Sequence, residues 1–171
     1  MYSIRTFGDP VLRLRAREVT DIDGDLARVV DTMIETMYTA VGGGLAAPQV
    51  GIQQRFFTYV DNDEEPDVLI NPEIVEASGE MSYEEGCLSF PDLRFEIVRP
   101  KFVTVRGIDL DGDEVVFEAG DDYFGRMLQH EIDHLDGVLA IDRVDADARK
   151  AVLREIRRRE TLVTVPPTDL R

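Results

Sequence analysis

The order of its patterns assigns this chain to the α+β class, with antiparallel sheet between flanking helices. Three observations carry that assignment. A long apolar stripe of helical period lies near the N-terminus, short apolar runs broken by Asp, Asn, Gly and Pro fill the middle, and two more helical patterns follow. From residue 25 to 41, Leu26, Val29, Val30, Met33, Ile34, Met37, Tyr38 and Val41 recur at three- and four-residue spacing, which predicts one apolar helix face. The glycines at 42–44 end that helix. Strands are predicted at 55–60, 68–70, 73–76, 102–108 and 115–119, and DLDGDE at 109–114 reads as a hairpin turn. A second helix starts near Asp121–Asp122, carries Tyr123, Phe124, Met127, Leu128 and Leu135 as its apolar residues, and stops at Gly137. A third, amphipathic helix spans 145–160. The tail at 161–171 is expected to be mobile, because Pro166 and Pro167 block further helix.

No repeat, linker or low-complexity tract interrupts the 171 residues, so a single catalytic domain over 1–171 is expected. A lone cysteine, Cys87, excludes an internal disulfide, and no apolar run approaches membrane-spanning length; a cytoplasmic protein with a reduced thiol is expected. Against 19 basic residues stand 35 acidic ones, a net charge of −16, which disfavours general DNA binding or attachment to an anionic membrane.

Both histidines of the chain stand in QHEIDHLDG at 129–137. His130 and His134 are four residues apart and share a helix face, a spacing that lets two imidazoles hold one divalent metal beside Glu131 as a base. A catalytic site of this kind needs a third protein ligand and an open position. The metzincin extension supplies Gly137 but ends on Ala140, which is no ligand. Glu155 on the following helix is a candidate, although Arg154, Arg157 and Arg158 around it make a surface ion pair the simpler reading. Cys87, in YEEGCLSFP, is the better third ligand. One thiolate with two imidazoles suits Fe2+, Zn2+, Ni2+ or Co2+.

Three stretches in this order resemble peptide deformylases: GGGLAAPQVG at 42–51, EGCLS at 85–89 and QHEIDHLDG at 129–137. The similarity extends from GDPVLR at 8–13 to VLAIDRV at 138–144. The resemblance implies antiparallel sheets around a central metal-binding helix, one bound divalent metal, natively Fe2+, and N-formylmethionyl nascent peptides as substrate. It implies Cys87, His130 and His134 as ligands and Glu131 as general acid/base for a metal-activated water. Gln49 and the backbone N–H of Leu88 would hold the formyl oxygen. Gly42, Gly43, Gly44 and Leu45 would line the substrate, with Glu85 and Gly86 beside the cysteine. The methionine side chain needs an apolar pocket, for which Tyr123 and Met127 are the candidate wall and Phe90 a further one. Arg99 is a candidate partner for Glu85, bracing the Cys87 loop, or else a surface residue. One position departs from the family: a β-branched residue is usual between Gly42 and Gly44, and Gly43 predicts a flexible loop and a barer pocket rim.

From 149 to 160 six basic residues face two acidic ones, an inversion of the overall balance. Lys150, Arg154, Arg157 and Arg158 would form either a solvated helix face or a contact with ribosomal RNA. Two other functions remain open from the residues: a small metalloprotease using Glu155, and a structural metal or nascent-chain-binding module, which lacks a fourth ligand.

Overall fold

The computed structural model describes residues 1–61 and 64–164. In chain order it runs α1 (Gly24–Thr39), β1 (Gly44–Ala46), β2 (Phe56–Val60), β3 (Pro66–Ser78), β4 (Met81–Cys87), β5 (Phe90–Arg99), β6 (Phe102–Ile108), β7 (Glu114–Ala119), α2 (Tyr123–Leu135) and α3 (Ala146–Thr164). Five strands form an antiparallel sheet in the order β1-β2-β3-β6-β7, and β4 with β5 makes a separate two-stranded sheet. The fold class is the predicted one.

The large sheet is covered on both faces, which is why FFTYV in β2 is apolar without alternation. Phe57 and Tyr59 turn to α2, packing with Phe124, Met127, Leu128 and Ile132. Phe56 turns the other way, with Val68 and Ile70, onto Leu26, Val30, Met33 and Met37 of α1. Fully burying an apolar side chain of this size contributes about 2–3 kcal/mol. A third cluster joins Phe90, Phe95 and Ile97 of β5 to Leu12, Leu139 and Ile141, with Val152, Leu153 and Ile156 of α3 against it. α2 packs its apolar residues on the large sheet, and meets the two-stranded sheet through polar contacts of Glu85 and Arg99. No helix among the described residues is long and apolar enough to cross a membrane.

The structure corrects several boundaries. Strands predicted at 68–70 and 73–76 are one strand, β3, bent where Asn71 takes φ 50° and bonds both N–H and C=O of Val19 at 2.9 Å. β1, β4 and β5 were not predicted. Pro91 hides the inward alternation of Phe95, Ile97 and Arg99 in β5. α3 continues through Thr164, so 161–164 are helical rather than tail, and 165–171 lie outside the described residues.

α1 begins at Asp23, whose side chain accepts from the backbone N–H groups of Asp25 and Leu26. It stops short of the predicted Val41. Gly42 N–H returns to the Met37 carbonyl at 3.0 Å and Val41 N–H to that of Tyr38 at 3.0 Å, a Schellman closure. Val41 therefore occupies the left-handed position, φ 57°, where glycine is usual, and is 92% exposed. Tyr38 is exposed too, so the buried stripe ends at Met37.

A β-branched residue is strained in that conformation. Val41→Gly is expected to raise stability by about 1 kcal/mol, the left-handed penalty less the added freedom of the unfolded chain. Urea denaturation would show a higher midpoint at unchanged slope; a lower midpoint would contradict the strain.

Candidate active site

Two elements that do not pair with each other meet at one cleft. β4 ends on Cys87, where the register with β5 shifts between Gly86 and Cys87. α2 brings His130 and His134, with its start fixed by Asp122 Oδ1 accepting from Gly125 N–H at 2.7 Å. The Cys87 sulfur lies 3.2 Å from His134 Nε2. One donor atom from each of Cys87, His130 and His134 falls within 4.8 Å of the others, and no other such trio of donors occurs among the described residues. Glu155 is elsewhere, ion-paired with Arg158 and Arg159.

His130 is oriented from behind. Its Nδ1 meets Glu85 Oε2 at 3.1 Å, leaving Nε2 to turn toward the cysteine. Arg99, 4% exposed, grips Glu85 through Nε (2.6 Å) and Nη2 (2.9 Å), and reaches Asp133 through Nη1 (2.9 Å). Arg143 also bonds Asp133, through Nε at 3.1 Å and through Nη2. Burial would raise the Glu85 pKa, but hydrogen bonds from His130 and Arg99 outweigh it and hold Glu85 at about 2. Of the two readings for Arg99, bracing is the one found. Asp133 and Arg143 were missed by sequence reasoning; the available signal was a carboxylate on a helix buried all round, which demands a cation.

Glu131 lines the cleft, and its Oε2 is buried without a hydrogen-bond partner among the described residues. Burial pushes its pKa up to about 7, against the pull of His130, the Ala46 N–H and Arg99. Gly44 makes this placement possible: a Cβ there would stand 2.6 Å from Glu131 Oε1. Gln49 is 1% exposed in the single 3-10 turn Ala47–Val50 that follows β1. Its Oε1 accepts from Ala46 N–H at 2.8 Å, so the Nε2 end is the one presented to Ser89 Oγ (3.2 Å) and the Cys87 sulfur (3.9 Å). Ser89 was also missed.

The cleft encloses about 570 Å³. Gly42, Gly43, Gly44, Glu85, Gly86, Leu88, Phe90, Tyr123 and Met127 all line it. Leu45 does not. Its side chain is fully buried in the α1 core, because alternation along β1 turns it away. The expected bare rim at Gly43 is also corrected: the Tyr123 hydroxyl fills the space a side chain at 43 would take, 2.2 Å from an ideal Cβ.

The family model for polypeptide deformylase matches residues 1–150. A peptide deformylase of Thermotoga neapolitana is 54% identical over 156 residues, covering 91% of this chain and 93% of the relative. That of Acidobacterium capsulatum is 48% identical over 156 residues, covering 89% and 91%. The crystal structure of peptide deformylase from Thermotoga maritima superposes with a TM-score of 0.81 at 52% identity, over 85% of this chain and 98% of that one. The Legionella pneumophila structure gives 0.88 at 36%, over 98% and 99%.

Arg99→Ala would leave Glu85 and Asp133 buried without their shared cation. A loss of about 3–5 kcal/mol is expected by urea denaturation. Arg99→Lys should recover only part of it, because an ammonium cannot make the two-pronged contact to Glu85. A loss below about 1 kcal/mol would show that the network does not hold the site together.

Proposed function

The chain belongs to the polypeptide deformylase family, an enzyme therefore that removes the formyl group from nascent peptides, and we propose how its residues share that work. Cys87, His130 and His134 hold one divalent metal ion, a reading supported above all by the convergence of their three donor atoms. The donors fit such an ion, since the free nitrogen of His130 faces the thiol and Glu85 occupies the other. When bound, the ion supplies a Lewis acid that makes water nucleophilic near neutral pH. The thiolate–imidazole set accepts Fe2+, Zn2+, Ni2+ or Co2+, and the family resemblance selects Fe2+ as the native ion.

Glu131 takes a proton from the attacking water at Oε2 and delivers one to the leaving amine as the formamide C–N bond breaks, giving formate and a free N-terminus. A carboxylate with a pKa of about 7 can serve in both directions at neutral pH. Gln49 Nε2 and the Leu88 N–H donate to the formyl oxygen as negative charge develops on it. The fixed amide orientation of Gln49 supports this assignment. β1 is an edge strand beside the cleft, suited to pairing with an extended peptide, while Tyr123 and Met127 wall the methionine side chain.

The site of action is cytoplasmic, where nascent chains emerge. Lys150, Arg154, Arg157 and Arg158 lie exposed on α3 and orient the otherwise acidic enzyme on ribosomal RNA. Lys150 and Arg158 also pair with Asp147 and Glu155, so Arg154 is a principal contact.

The test is formate release from an N-formylmethionyl tripeptide under anaerobic conditions. Iron-loaded wild type is expected to release formate, and Cys87→Ala to lose both bound metal and activity. Glu131→Gln should keep the metal while kcat falls by about 10²–10⁴. No formate from well-folded, metal-loaded protein would overturn the assignment. For α3, charge reversal at Arg154, Arg157 and Arg158 should abolish ribosome co-sedimentation at low salt; unchanged co-sedimentation would refute the contact.

A further inference from the structure

The three consecutive glycines at the cleft each make room for a different side chain of the facing wall. A Cβ at Gly42 would meet Leu88 Cδ1 at 2.8 Å, one at Gly44 would meet Glu131 Oε1 at 2.6 Å, and one at Gly43 would meet Tyr123 Oη at 2.2 Å. Gly43 has the tightest approach. Its backbone cannot retreat, because the Gly43 carbonyl accepts from Val60 N–H at 3.0 Å and the next residue pairs with Tyr59 across β1 and β2. Any side chain at 43 must therefore move the tyrosine.

Tyr123 is free to move. It is the first residue of α2 and is 60% exposed. Among the described residues its hydroxyl has no hydrogen bond; its charged neighbours are the Arg126 guanidinium, 6.0 Å from the ring centre, and the carboxylates of Glu131 and Glu85. The guanidinium lies closer to Tyr83, at 3.7 Å. The ring thus reaches from α2 to the Gly42–Gly44 segment, held by packing alone.

We propose that Gly43 and Tyr123 form a coupled specificity pair, in which the Tyr123 phenol takes the place of a residue-43 side chain and acts as a displaceable wall of the pocket for the substrate's first side chain. This rests on the deformylase reading of the cleft. The wall is borrowed from the opposite side, so its two halves can be exchanged. It governs substrate fit rather than the transfer of the formyl group to water, because neither residue belongs to the Cys87–His130–His134 group.

A double-mutant cycle tests the pair, with kcat and KM measured separately on N-formylmethionyl and N-formylphenylalanyl tripeptides. Gly43→Val should displace the ring and lower kcat/KM for the methionyl peptide about 10-fold, through KM. Tyr123→Ala should also raise KM and narrow the preference for methionine over phenylalanine about 10-fold. The double variant should recover toward wild type, because valine fills the space the ring vacated. Gly43→Ala gives a milder version of the cycle if valine prevents folding, and calorimetric binding of the product peptide Met-Ala-Ser gives the same comparison without turnover. A double variant whose loss equals the product of the single losses overturns the pair while leaving the deformylase reading intact. A folded, metal-loaded wild type inactive on both peptides would overturn both.

Discussion

One buried guanidinium joins the two elements that meet at the cleft. Arg99 ends β5, clasps Glu85 on β4 and reaches Asp133 on α2, so it fastens the two-stranded sheet to the central helix. A two-stranded sheet is only marginally stable by itself. The apolar contacts of Phe90, Phe95 and Ile97 hold the hairpin against the body of the protein, but they are not directional. The charged contacts are. They fix the height and rotation of β4, and with them the position of Cys87 against His134. The same carboxylate that satisfies Arg99 also orients His130, so stability and ligand geometry depend on one set of bonds.

Much of this was legible from residue patterns, and the failures have identifiable causes. The fold class followed from periodicity, and the family from three motifs. The buried stripe of α1 was read correctly to Met37 but carried too far, because spacing alone cannot distinguish Val41 in the helix from Val41 in a left-handed turn. β4 and β5 were hidden by charge and by Pro91. Their inward alternation becomes meaningful only when the partner cluster at Leu12 and Leu139–Ile141 is known.

At the site, Cys87, His130 and His134 could be singled out together because few residue types share their donor chemistry, and the fold brings them within reach of one another. Asp133 and Arg143 could not, since a charged side chain looks solvated until its surroundings are seen. Leu45 and Gly43 were misjudged for a related reason. Which way a strand residue points, and which distant side chain fills the space beside a glycine, are decided across the cleft and not along the chain.

The separation of Cys87 from the two histidines makes the trio a product of tertiary structure. The two histidines lie four residues apart on one helix, so their approach depends on α2 alone. Cys87 comes to them from the β4–β5 hairpin, whose contact with α2 includes the Arg99–Asp133 pair, itself backed by Arg143 just before α3. A chain with α2 formed but the hairpin undocked would keep the histidine pair and lose the trio, so helix content alone is no measure of an assembled site.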